Sequence, residues 1–230
     1  MVYYDPGISP PPASPTEAPP PGPAPANPPS PPTDAAQIKT SDSLGDFISN
    51  LGQNDDQKKL LDNLTQDPDY QKLKKYLDDS PSKVKYTSQP GLVIGGVERF
   101  GGYNSGSNTL IINPTKPEHV KDPKELIITV VHELLHVSQD LRLENPDIPP
   151  PIPKDIYDTS TDPTIQGNPD LKGQPLIRKD DPAVVNDPVL KKYLDDNYGD
   201  SDSNPKEEYK DLNKKGQKYI DDIVGRITAK

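Results

Sequence analysis

Apolar positions recur every three or four residues from Leu44 onward: Leu44, Phe47, Ile48 and Leu51, then Leu60, Leu61 and Leu64, then Tyr70, Leu73, Tyr76 and Leu77. Spacing near the helical period, with prolines at 68, 81 and 90 as punctuation, predicts three short amphipathic helices. The texture then switches. Val84 to Tyr86, Leu92 to Glu98 and Thr109 to Ile112 are β-branched or apolar runs, separated by Gly101, Gly102 and the stretch Asn104 to Ser107. They predict a small, mostly antiparallel sheet with turns at the glycines. Gly95, Gly96, Gly101 and Gly102 have neither the spacing nor the following lysine of a phosphate-binding loop.

Helical spacing returns at Asp122, where an acceptor at the cap, Pro123 in the first turn and Glu125 three residues after the cap form a strong start signal. A helix is predicted from there to about Arg142. On a wheel centred on Leu134, residues Ile127, Val130, Val131, Val137 and Leu141 fall within about 60° of the centre and form a core face. Glu125, Thr129, His132, His136 and Gln139 gather opposite, the one polar stripe of an otherwise apolar helix. Such a stripe is the expected lining of a cleft. Beyond the helix, Asn145 to Asp187 holds nine prolines and little periodicity, which predicts a long loop. The heptamer LKKYLDD stands at Leu73 to Asp79 and again at Leu190 to Asp196, predicting two similar surface helices. Tyr209, Leu212, Tyr219, Ile220, Ile223 and Ile227 predict a last helix over residues 205–227.

Composition changes this picture at the N-terminus. Of 31 prolines, 14 fall between Pro6 and Pro32, so that segment can neither form a helix ladder nor bury a core. It reads as an extended tail, either a flexible spacer or a strap for a protein partner. The expected organisation is a proline-rich tail over 1–40, an N-terminal lobe with the sheet and the long helix over 41–144, a proline-rich loop over 145–186 and a C-terminal helical lobe over 187–230. A net charge of −10 argues against nucleic acid or an anionic membrane as partner. Neither a signal peptide nor an apolar run long enough for a membrane span is present, so a cytoplasmic, particle-associated or specially exported chain is expected. With no cysteine, disulfides and thiolate metal ligands are excluded.

Chemistry concentrates on the long helix. His132 and His136 are four residues apart, so their Cβ atoms lie roughly 5–6 Å from each other and both imidazoles can reach one zinc ion. Glu133 is turned by about 100° from His132, too far round to be a ligand but placed to touch a water on the metal. Its expected role is general base in peptide-bond hydrolysis: zinc lowers the pKa of the water to about 7, and Glu133 takes its proton.

These residues read HELLH, which resembles the HExxH helix of the zincin metallopeptidases. The preceding NTLIINP, Asn108 to Pro114, resembles the edge strand that pairs with an extended substrate in that family. The resemblance implies an α+β, zincin-like fold: a small sheet packed on the HExxH helix, then a helical lobe. It also implies zinc as cofactor and a peptide or protein substrate. A third ligand is needed. Asp140 and Glu144 stand about 6 and 12 Å beyond His136 along a straight helix, and the glycine and third histidine of metzincins are absent. The gluzincin solution, a glutamate on a later helix, points to Glu208 or Glu207. The wheel of the last helix favours Glu208, while the Asn-Pro start of NPKEEYKDL, similar to the glutamate-bearing helix of small bacterial and phage HExxH families, favours Glu207. Both could equally be first-turn carboxylates that complement the helix dipole. Tyr103, Tyr157 and Tyr198 are the candidates for a phenol that stabilises an oxyanion, and His119 reads as structural or exposed. The alternative to a peptidase is a structural or interaction protein, such as a virion component, docked through its proline-rich tail.

Overall fold

The computed structural model of the chain describes residues 37–94, 96–145, 147–153, 156, 163–173, 177, 181–198 and 214–230. It is an α+β arrangement. A short strand β1 (Lys39–Ser41) leads into three helices, α1 (Leu44–Leu51), α2 (Asp55–Thr65) and α3 (Pro68–Asp79). Each starts on a side-chain cap that satisfies otherwise orphaned N–H groups: Ser43 accepts from Asp46, Asn54 from Gln57, and Asp67 from Asp69 and Tyr70. The apolar residues that set their period are buried at Leu44, Phe47, Ile48, Leu51, Leu61, Leu64, Tyr70, Leu73 and Leu77.

Strands follow as β2 (Lys85–Ser88), the hairpin β3 (Val93–Ile94) and β4 (Val97–Glu98), then β5 (Gly101–Asn104) and β6 (Thr109–Ile112). The main sheet has the order β1-β2-β6-β5. Two of its pairings are antiparallel and β2 with β6 is parallel, in the register Lys85 to Thr109 through Ser88 to Ile112. The sheet is therefore mixed. One expectation is corrected here: β6, read from NTLIINP as an edge strand, is paired on both sides and lies inside the sheet. The edges are β1 and β5, the latter in the segment assigned to turns.

After the short α4 (Pro117–Lys121) comes α5 (Pro123–Glu144), capped by Asp122 Oδ1 on the Lys124 N–H at 3.0 Å. It packs against α2, α4, β5 and β6. Leu126, Ile127, Val130, Val131, Leu134, Leu135, Val137 and Leu141 are all buried, each such side chain contributing roughly 1.5–3 kcal/mol as an upper estimate. That burial pins the helix on several sides at once. The C-terminal helix α9 (Lys214–Thr228) also packs on α5 and on α2, placing Ile220, Ile223 and Ile227 in the same core as Leu44 and Tyr86. Its Arg226 forks onto the buried Asp67 carboxylate at 2.8 and 3.0 Å. Burial alone would raise Asp67, but Arg226 and the N–H groups of Tyr70 and Asp69 hold it below the usual carboxylate range.

Between α5 and α9 lie α6 (Pro163–Gln166), α7 (Pro182–Val185) and α8 (Pro188–Tyr198). They gather a separate small core of Ile165, Leu171, Ile177, Val184, Leu190 and Leu194. Helix α8 contributes Leu190 and Leu194 to this satellite core, whereas Ile220, Ile223 and Ile227 of α9 lie in the main one. Among the described residues no helix is long and apolar enough to cross a membrane.

Candidate metal centre

Thr129, His132, Glu133, His136 and Asp140 fall within about 100° of one another around α5. The flanking turns of this stripe are tied down. Thr129 is buried against β5, because a Cβ on Gly101 would meet its Cγ2 at 3.2 Å, and the Tyr103 hydroxyl reaches Asp140 Oδ2 at 3.1 Å. Gly101 and Tyr103 belong to the same strand, so β5 runs alongside the part of α5 that carries His132, Glu133 and His136. These three side chains are partly buried, while the residues on the rest of this stretch are buried.

The two imidazoles converge. His132 Nε2 and His136 Nε2 are 2.9 Å apart and the rings meet edge to face with centroids 4.6 Å apart. At this distance one ring N–H donates to the other ring's nitrogen; the same closeness at neighbouring helical turns is what would let both imidazoles reach one metal ion, with zinc to nitrogen bonds of about 2.0–2.1 Å. His136 Nδ1 is hydrogen-bonded on its other side to Gln139 Oε1 at 2.7 Å, and its Nε2 is hydrogen-bonded to His132 Nε2. Among the described residues no group of three His, Asp or Glu side chains is placed to hold a metal. Glu207, Glu208 and Tyr157, and the side chain of Tyr198, lie outside the described residues.

The chain finds no match among family models, curated proteins or solved structures.

Among the described residues, the strand beside the stripe is paired along one side alone. Asn113 N–H donates to the Phe100 carbonyl at 2.8 Å, which makes Phe100 and Asn113 a hydrogen-bonded pair of the β5–β6 ladder. Alternation then turns the main-chain groups of Gly102 and Asn104 toward β6 and those of Gly101 and Tyr103 away from it. Among the described residues no strand pairs with that far side. An open strand edge next to a polar helix stripe can take an extended chain as an added strand.

Tyr103 is the one oxyanion candidate whose side chain is described. Its hydroxyl has two acceptors, Asn108 Oδ1 at 2.7 Å and Asp140 Oδ2 at 3.1 Å. Asn108, in the left-handed region with φ 48°, is fixed in turn by its amide N–H on the Lys83 carbonyl at 3.0 Å. Burial, followed by the negative charge of Asp140, pushes the Tyr103 phenol well above its ordinary range, so it stays protonated. The hydroxyl is held one turn beyond His136. His119 is fully buried: Nδ1 donates to the Asn113 carbonyl at 2.7 Å and Nε2 meets Thr129 Oγ1 at 2.9 Å. It supports the stripe from behind. Periodicity puts Thr129 and Gln139 on the polar side of the helix with the two histidines; their hydrogen-bonding roles depend on His119 and Ile156, which lie outside the helix.

Proposed function

We propose that the chain is a zinc-dependent peptidase of zincin-like architecture. The observation that carries the reading is the closeness of His132 Nε2 and His136 Nε2, 2.9 Å apart on the polar side of a helix whose other faces are core. These two nitrogens would hold the ion, and a third ligand would come from outside the described residues, with Glu208 assigned first and Glu207 second. Bound zinc supplies a Lewis acid for the substrate carbonyl and acidifies water. Glu133 follows His132 directly and is partly buried, where a carboxylate oxygen would take a proton from the attacking water and release it to the leaving amine. The outward N–H and C=O groups of Gly101 and Tyr103 would receive an extended peptide along β5 and keep its scissile bond over the stripe. The buried helix and the tied flanking turns keep these groups from drifting apart.

The test is metal content and cleavage measured on the same preparations. Protein purified without chelator should carry one zinc per chain and cleave a peptide library. Glu133→Ala should retain the zinc and lose roughly 10²–10⁴-fold in activity, the usual worth of a general base. His136→Ala should lose metal and activity together. A folded wild-type chain that neither carries zinc nor takes it up on addition would sink the reading.

A further inference from the structure

We infer that Gln139 fixes the tautomer of His136 and so aims the Nε2 lone pair of that ring at the metal position. Gln139 is buried, with its amide lying between two groups of known polarity. One is the main-chain carbonyl of Ile156, which can only accept, and the Gln139 Nε2 faces it at 3.4 Å. The amide therefore has one orientation, with its NH₂ toward Ile156 and its Oε1 toward His136. Oε1 in turn can only accept, so the contact of 2.7 Å requires a proton on His136 Nδ1. A neutral imidazole protonated on Nδ1 carries its lone pair on Nε2, where in the metal-free chain it accepts from His132 Nε2–H at 2.9 Å; a metal ion would take the place of that proton.

The consequence reaches beyond one hydrogen bond. A neutral histidine in water favours the opposite tautomer, with the proton on Nε2, which would have to be lost or moved before a metal could bind. Gln139 removes that step and also fixes the ring's rotation, because its own amide is anchored to a segment twelve residues past the end of α5. Partners of this kind on the far nitrogen of a ligating histidine raise its basicity and hold its geometry. Gln139 is thus a positioning residue, acting through His136. The inference rests on the zinc reading above only for its effect on the metal; the tautomer itself is a property of the metal-free chain.

The experiment uses the full chain. Nitrogen and carbon NMR shifts of the His136 ring in metal-free protein, at a pH where the ring is neutral, report which nitrogen carries the proton. Zinc affinity is measured by competition with a chromophoric chelator. Wild type should show the Nδ1–H form. Gln139→Leu, which preserves bulk and helix propensity but offers no acceptor, should shift His136 toward Nε2–H and weaken zinc binding by about 10 to 100-fold. Gln139→Glu keeps an acceptor for Nδ1 and should retain both the tautomer and an affinity within a few-fold of wild type. An unchanged tautomer in folded Gln139→Leu would overturn the inference, as would an equal loss in Gln139→Leu and Gln139→Glu, which would assign the effect to packing. A wild type that binds no zinc yet loses the Nδ1–H form in Gln139→Leu would sink the peptidase reading and uphold Gln139's control of the ring.

Discussion

His119 shows how a buried titratable side chain can make a site sensitive to pH without belonging to it. Burial lowers its pKa below the ordinary histidine value; Lys116 acts in the same direction, while the Asn113 carbonyl and Glu118 oppose. The other groups against the ring are uncharged: Phe100 stands edge-on to it and Thr129 holds Nε2. The folded chain therefore resists a proton that the unfolded chain accepts at about pH 6.5. Between that value and the lower folded pKa the unfolded state binds more protons, so stability rises with pH across this window. The contribution is fully present above about pH 6.5 and is lost as pH falls, at up to about 1.4 kcal/mol per pH unit. Urea denaturation at neutral and mildly acidic pH should show this slope in wild type. In His119→Asn the slope should flatten while stability at neutral pH falls by about 1–3 kcal/mol for the lost volume, the Thr129 hydroxyl keeping the Glu125 carbonyl as its acceptor. Equal slopes in the two proteins would remove His119 from the account.

Strand β5 is the element on which local preference and tertiary packing disagree most sharply. Two consecutive glycines read as a turn because glycine suits turns and weakens strands. In the fold, Gly101 is a strand residue for another reason: a Cβ there would stand 2.8 Å from the Ile111 carbonyl oxygen and 2.8 Å from Ile112 Cδ1. Only a residue without a side chain lets β5 lie against α5 at Thr129. Gly102 faces open space, with nothing within 4 Å of its Cβ position. Gly101→Ala should therefore cost about 1–3 kcal/mol of overpacking and loosen the strand beside His132, while Gly102→Ala should be neutral or slightly stabilising through the unfolded chain. Denaturant midpoints of the two variants check the pair, and similar midpoints would mean the strand does not lie as close as described. The same contrast explains what was legible at this scale. Helices α1, α2, α3 and α5 were readable because each carries a cap and a buried stripe within its own residues. Strand β1, Lys39 to Ser41, was not readable: its residues are polar and mostly exposed, and only pairing with Tyr86 to Ser88 makes it a strand. At the site, the polar stripe and the positions of His132, Glu133 and His136 were in the local sequence. Tyr103 on Asp140, and Gln139 on Ile156, were not, because each depends on a contact between segments whose separation no local pattern encodes.

Among the described residues, two apolar clusters of unequal size form the buried core. The larger joins α1, α2, α3, β2, β6, α5 and α9, and Arg226 ties the last helix to the cap of α3 through Asp67. The smaller holds, among the described residues, six buried aliphatic side chains from 165 to 194, with helices α6 and α7 of four residues each. A cluster this small buries little apolar surface against the conformational entropy of the segments it orders, so it should open at lower free energy than the main core. The polar stripe is on α5, whose buried apolar residues belong to the larger cluster. Opening of the 163–198 region should then leave His132 and His136 in place. Native-state amide exchange tests this directly: α8 should exchange through a sub-global opening several kcal/mol below that of α5 and β6. Leu194→Ala removes a fully buried side chain of the satellite core and should lower the opening free energy of α8 by about 2–5 kcal/mol or melt it. Protection in α5 should stay within a few tenths of a kcal/mol of wild type, because the two sites share no buried neighbours in their clusters. If α5 loses protection in step with α8, the two clusters unfold as one cooperative unit, and the stripe depends on the satellite helices for its rigidity.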